Sequence, residues 1–234
     1  MRDAWAHQAE NWVRMVQAGL DAGWDFTRPP FLRLLPPPGR LTLDVGCGEG
    51  RLGRALQEAG HKVIGVDVTV TLARAAAMHS RPLPVLVADA AHLPVHDRAA
   101  DLVVAFMSLQ DVDDFASAVH EAARVLEPGG RFCFAIVHPL VEAGRFQEDG
   151  SFLLDRSYLG VWRYPDLVRR RGIEMTFHSE HRPIEAYGRA LEEAGFLIEA
   201  FREPMPDETT VATLPETERW RRIPNFLMVR ARRQ

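Results

Sequence analysis

The densest chemistry in the chain lies in residues 41–50, LTLDVGCGEG. An apolar run leads to Asp44, and glycines follow at Gly46, Gly48 and Gly50. A strand that ends in a glycine-rich turn and passes into a helix is a cradle for a nucleotide cofactor. A side chain in that turn would hold the ligand away from the backbone amides. The spacing here is D-x-G-x-G-x-G. The dinucleotide fingerprint G-x-G-x-x-G, begun at Gly46, requires glycine at position 51, where the chain carries Arg51. Two more acids fall at comparable places, Asp67 one strand–helix–strand unit further on and Asp89 after that. Taken singly, each acid reads equally as a helix cap or a solvated loop residue. Three in register point to one ligand-binding edge.

The elements that must carry these residues follow from periodicity. Leu52, Ala55, Leu56 and Ala59 have helical spacing, and Gly60 offers a stop. Lys62 to Val66 reads as a second strand and Val85 to Val87 as a third, with a helix over Leu72 to Met78 between them, capped by Thr69. Leu102 to Phe106 is a fourth strand. Phe115, Val119, Ala122 and Leu126 mark a helix, and Pro128-Gly129-Gly130 turns the chain into a fifth strand, Arg131 to Val137. A helix face at Ala186–Ala194, a sixth strand Phe196 to Phe201 and a terminal strand Phe226 to Val229 complete the pattern. Repeated units of this kind predict an α/β, doubly wound, mostly parallel sheet. Residues 139–182 break the alternation and are read as a functional insertion. Residues 1–38 stand apart before the Pro36-Pro37-Pro38-Gly39 run. Trp5 and Trp12 share a face if that segment is helical. It is either a helix packed on the domain or a flap that brings Trp12 to the substrate.

Several runs share one resemblance. DVGCGEG (44–50), VADAAHLPV (87–95), DLVVAFMSLQDVDD (101–114) and EAARVLEPGGRF (121–132) occur in the order found in class I S-adenosylmethionine (SAM) dependent methyltransferases, the type 11 small-molecule group. The resemblance implies a Rossmann-like, seven-stranded sheet with an antiparallel last strand. It divides the chain into a helical flap (1–38), a SAM-binding α/β domain (39–138 and 183–234) and a substrate cap (139–182). Asp44 would orient the methionine part of the cofactor. Asp67 would accept from both ribose hydroxyls, since a carboxylate offers two oxygens that only accept. Asp89 would accept from the adenine amino group, beside the Ala90 N–H. Gly46, Cys47, Gly48, Gly50, Val68 and Met107 complete the expected cofactor contacts.

Methyl transfer from a sulfonium asks chiefly for alignment and the exclusion of water. A hydroxyl, amine or carbon acceptor also has a proton to lose, and imidazole is the usual base near neutral pH. His138 follows the fifth strand, and His178 and His181 lie in FHSEHRP (177–183). His138 or His181 is read either as the proton acceptor or as a hydrogen-bonding tie between cap and sheet. Trp12, Gln110, Tyr158 and His178 are the expected substrate contacts. His92 and His96 lack a clear third ligand, so no metal is expected.

Lys plus Arg number 28 against 32 Asp plus Glu, a net charge of −4 that attracts neither nucleic acid nor anionic membrane. No apolar leader or membrane-length run is present, and two cysteines make no disulfide framework. The expectation is a cytoplasmic, monomeric or homodimeric enzyme that methylates a small organic molecule, with oxygen the favoured acceptor. A SAM-fold enzyme that cyclises or eliminates instead, and a non-catalytic SAM-binding module, are the alternatives. Arg51 and the Asp89-Ala90 pair count against a nicotinamide enzyme.

Overall fold

The computed structural model describes residues 1–234, Ala22 by its backbone alone. Two helices open the chain, α1 (Arg2–Gln17) and α2 (Ala22–Leu34). The alternation then begins: β1 (Thr42–Val45), α3 (Arg51–Glu58), β2 (Val63–Asp67), α4 (Val70–Ala77), β3 (Val85–Val87), β4 (Ala100–Phe106), α5 (Phe115–Val125) and β5 (Leu126–Val137). A short helix α6 (Pro139–Glu142) leads into two antiparallel hairpins, β6 (Gly144–Phe146) with β7 (Phe152–Leu154), and β8 (Trp162–Arg170) with β9 (Ile173–His181). The remaining elements are α7 (Ile184–Glu193), β10 (Phe196–Arg202), α8 (Glu208–Thr213) and β11 (Phe226–Arg233).

The main sheet has seven strands in the order β10-β11-β5-β4-β1-β2-β3. β1 pairs in parallel with β2 and β4, while β11 runs antiparallel between β5 and β10. All the parallel strands therefore end on one edge, where a doubly wound sheet binds its ligand. One face is covered by α5 and α7 through Phe115, Val119, Tyr187 and Leu191. The other is covered by α2, α3 and α4 through Phe31, Leu34, Leu56 and Ala76. The segment before residue 39 thus has two jobs. Its second helix packs on the α/β core and brings Gly23, Trp24 and Thr27 to the ligand edge, and α1 stands over that edge.

The structure extends three sequence expectations. β5 begins at Leu126 rather than Arg131, because Pro128-Gly129-Gly130 form an irregularity inside the strand, with Gly129 at φ +80, and not a turn before it. β11 continues past Val229 to Arg233. Its outward arginines conceal the strand from a search for apolar runs, and Arg230 and Arg232 pair with Glu199 on β10. The insertion is built of hairpins, which accounts for its lack of helical period.

Gly46 is required for a reason apart from any ligand. It sits at φ +72, and a Cβ there would lie 2.4 Å from the Ser108 Cβ in the loop after β4. Gly46→Ala is expected to cost about 2 kcal/mol or more of stability, combining left-handed strain with a backbone shift. Urea unfolding measures it. Adding Ser108→Gly should recover the part due to the clash, and a single-variant loss below about 0.5 kcal/mol would contradict this account.

Candidate functional site

A cavity of about 330 Å³ opens along the ends of β1, β2, β3 and β4, within the usual size range of ligand pockets. Its floor is the turn after β1, and α1 and the β8–β9 hairpin form its roof. Trp5 and Trp12 from α1 and Phe177 from β9 meet edge-to-face with ring centres 5.7–6.0 Å apart.

Asp44, next to last in β1, is 1% exposed, and its Oδ2 has no hydrogen-bond partner. Burial pushes its carboxyl up to about 7, and the neighbouring charges of Asp67 and Glu49 push in the same direction. Asp67 accepts from the Gly48 N–H at Oδ2 and the Thr69 N–H at Oδ1, both at 2.8 Å. It joins the glycine turn to the start of α4 and still has lone pairs for a ligand. Asp89 accepts from the Ala91 N–H at 3.0 Å and pairs with Arg2 from the roof. Met107 holds the left-handed conformation at φ +56 while its N–H bonds the Ala135 carbonyl at 2.8 Å. A non-glycine residue in that conformation is strained, and the strain sits where β4 meets the cavity.

Gly46, Cys47, Gly48, Val68 and Ala90 also line the cavity, whereas Gly50 does not. Gly50, at φ +85, serves as the N-cap of α3 and packs close to Ala76. Of the expected substrate contacts, Trp12 and Gln110 line the cavity, and Tyr158 and His178 do not. Alternation along β9 explains the second absence. Phe177 and Ser179 face the cavity, so His178 falls on the opposite side of the hairpin. Tyr158 instead offers its carbonyl to His181.

Neither expected base reaches the cavity. His138 caps α6, its Nδ1 accepting from the Leu140 N–H at 3.1 Å, so its proton sits on Nε2 and goes to Glu203 at 3.0 Å. Burial holds its pKa below the ordinary histidine value. His181 is fully buried with Nε2 2.8 Å from the Tyr158 carbonyl and Nδ1 2.9 Å from Glu142, and its ring is stacked on Trp162. Tyr164 donates to the other Glu142 oxygen at 2.7 Å. His181 joins the β8–β9 hairpin to α6 and to Tyr158, His138 joins the end of β5 to α6 and to Glu203, and neither has a nitrogen left for a molecule in the cavity.

Sequence reasoning missed Glu49, Arg51, Asp111 and Ser179. Arg51, noted only as a missing glycine, stacks between Trp12 and Trp24 at 5.0 and 4.3 Å and pairs with Asp21. Glu49 accepts from the Trp12 Nε1 at 2.8 Å and fastens α1 to the glycine turn. Asp111 accepts from the Ser179 hydroxyl at 2.6 Å, and burial raises its carboxyl to about 7. The alternation Met175-Phe177-Ser179 was the signal that would have revealed Ser179.

An open parallel sheet with a carboxylate at each of three successive strand ends around a glycine turn defines a nucleotide-cofactor-binding α/β protein. The family model described as a methyltransferase domain, the type 11 group, matches residues 43–134. The chain is 34% identical to a ubiquinone biosynthesis O-methyltransferase of Hydrogenovibrio crunogenus over 42% of this chain and 43% of that one. It is 30% identical to a demethylmenaquinone methyltransferase of Corynebacterium kroppenstedtii over 50% of this chain and 49% of that one. A solved S-adenosylmethionine dependent methyltransferase from Mesorhizobium loti superposes with a TM-score of 0.72 at 29% identity, covering 91% of this chain and 98% of that one. The chain spans about half the length of the curated relatives it matches. Over residues 43–134 and in its fold the chain is similar to the class I SAM-dependent methyltransferases.

The raised pKa of Asp44 has a stability consequence. Between an unfolded value near 3.8 and a folded value of about 7, the folded chain holds a proton that the unfolded chain has released. Stability therefore falls as pH rises through that window and stays reduced above it. Asp44→Asn is expected to raise the melting temperature of the ligand-free protein at pH 8 by several degrees, at roughly 2–4 °C per kcal/mol. The same change should weaken S-adenosylhomocysteine binding by about tenfold or more. Calorimetry of both proteins at pH 6 and pH 8 checks the pair of effects. An unchanged affinity would remove Asp44 from the cofactor site.

Proposed function

We propose that this protein transfers a methyl group from SAM to a small organic molecule held under the cap. The observation that carries the reading is one continuous cavity. It joins the acids at the ends of β1, β2 and β3 to an aromatic chamber roofed by α1 and the β8–β9 hairpin. Bound SAM supplies a methyl group already activated by its sulfonium charge.

The residues present fit that cofactor. The orphaned Oδ2 of Asp44 supplies a buried acceptor beside the glycine turn, suited to an ammonium group. Asp67, anchored by two amides, presents its remaining lone pairs to a ribose diol. Asp89 and the Ala90 N–H stand at the adenine end, with Arg2 folded over them. Gly46, Cys47, Gly48, Val68 and Met107 complete the lining. The chain's part in the chemistry is to align the acceptor and keep water out, as the Trp5–Trp12–Phe177 group and the Arg51 clamp do. His138 and His181 hold the cap in place rather than taking a proton. Oxygen is the favoured acceptor atom, supported by the O-methyltransferase names among the curated relatives.

Saturating S-adenosylhomocysteine, at 100 times its dissociation constant, should add about 2.7 kcal/mol to the folded state. That corresponds to a rise of roughly 5–10 °C in melting temperature, with NADH giving none. Methyl-labelled SAM, offered with a panel of phenols, amino alcohols and hydroxy acids, then identifies acceptors. Binding without label transfer to any acceptor, with the panel compounds converted to other products, would favour a cyclisation or elimination. A flat thermal response to S-adenosylhomocysteine would end the methyltransferase reading.

A further inference from the structure

The acceptor end of the cavity has an uneven hydrogen-bond inventory. Ser179 spends its hydroxyl proton on Asp111 at 2.6 Å, and Tyr164 spends its own on Glu142 at 2.7 Å. Thr27 donates to the Gly23 carbonyl at 2.6 Å, and the Trp12 N–H is taken by Glu49. The Gln110 amide and the Trp5 and Trp24 indoles still bring N–H groups to the cavity, but acceptors are left over too, Asp111 among them. Gln110 is only 4% exposed and lines the cavity, and its Oε1 has no partner. Asp111 lies beside it and also lines the cavity. The Ser179 and Tyr164 oxygens, having given up their protons, keep lone pairs. A buried acceptor without a donor costs roughly 1–3 kcal/mol, so such a chamber favours a ligand that brings donors of its own.

Charge leads to the same place. Asp111 is half-buried in the cavity lining, which also includes the exposed Asp166. The cavity's arginines are already committed. Arg2 pairs with Asp89, and Arg51 pairs with Asp21 and is held between two indoles. Arg182, which acts on Asp111 from outside the cavity, is bound to Glu180. Among the described residues, no unpaired cation lines the chamber to receive a carboxylate or phosphate. Trp5 and Phe177 supply aromatic faces and edges next to these acceptors, a setting that suits a cation with an apolar body.

We propose that the acceptor molecule is a small, partly apolar amine, and that its ammonium group, which is not the methyl-accepting atom, is received by Asp111 together with the Gln110 carbonyl and the Ser179 hydroxyl oxygen. This rests on the methyltransferase reading of the same cavity. The carboxyl of Asp111, raised to about 7 by burial, supports the assignment, because an ammonium arriving beside it returns the favourable charge partner that burial removes.

The test needs no knowledge of the natural substrate. Trp5, Trp12 and Trp24 line the cavity and report occupancy by fluorescence excited at a wavelength that phenyl rings do not absorb. Protein saturated with S-adenosylhomocysteine is titrated at pH 7.5 with 2-phenylethylamine, 2-phenylethanol and phenylacetate. The amine is expected to bind about tenfold more tightly than the alcohol, a difference of about 1.4 kcal/mol, with phenylacetate weakest. Asp111→Asn should cut the amine's advantage to about twofold or less and leave S-adenosylhomocysteine affinity unchanged, which also shows that the variant folds. Equal binding of amine and alcohol, tighter binding of phenylacetate, no saturable binding of the amine up to about 10 mM, or an advantage that survives Asp111→Asn would each overturn the proposal. The wild-type comparison stands even if the variant fails to fold. Loss of S-adenosylhomocysteine binding in the wild-type protein would instead overturn the methyltransferase reading.

Discussion

The site is governed by negative charge placed where water cannot reach it. Asp44, Glu49 and Asp67 are all buried around one glycine turn, and each raises the cost of ionising Asp44. Much of the surrounding architecture answers that cost. Backbone amides from Gly48 and Thr69 hold Asp67, the Trp12 indole holds Glu49, and Arg51 brings a guanidinium within 3.6 Å of Glu49. Asp44 Oδ2 and Glu49 Oε1 keep no hydrogen-bond partner, and only the second has a guanidinium beside it. A fold that tolerates such a group trades some stability for binding.

The roof and floor of the cavity are therefore parts of one electrostatic arrangement. Arg51 belongs to the helix that follows the glycine turn, yet its guanidinium is held between a roof residue, Trp12, and a core-helix residue, Trp24. The cap is anchored separately, through the buried His181–Glu142–Tyr164 group. The two covers of the cavity thus have different fastenings below, a polar and aromatic one for α1 and a deeply buried one for the β8–β9 hairpin, and they are packed on each other through Trp5, Trp12 and Phe177.

The α/β frame was legible in the sequence because its strands are short apolar runs separated by helical periods, and the first three end in or close to an acid or a glycine. The cofactor edge was legible for the same reason. Asp44, Asp67 and Asp89 occupy strand ends, and strand ends in such a sheet share one edge. The misread parts were those in which long-range partners decide. His138 and His181 could be read as bases or as structural ties because they stand near the right edge. Their nitrogens are occupied by Leu140, Glu203, Tyr158 and Glu142, and no local pattern announces those contacts. Arg51 looked like a departure from a motif, and its two indole neighbours are 39 and 27 residues away in the chain by their numbering. Gln110 and Trp12 were found because each lies next to a recognisable element.

The fastening of α1 has a consequence for the solution around the protein. Its bonds to the rest of the molecule near the cavity mouth include an exposed ion pair, Arg2 with Asp89, in addition to buried packing. Exposed pairs are screened by salt, with a Debye length of about 8 Å at physiological ionic strength, whereas apolar packing of the sheet is not weakened in this way. Ionic strength therefore acts selectively on this molecule. It loosens the Asp89 end of the roof while the core beneath keeps its packing, so the ease with which ligands pass that end varies with the salt around it.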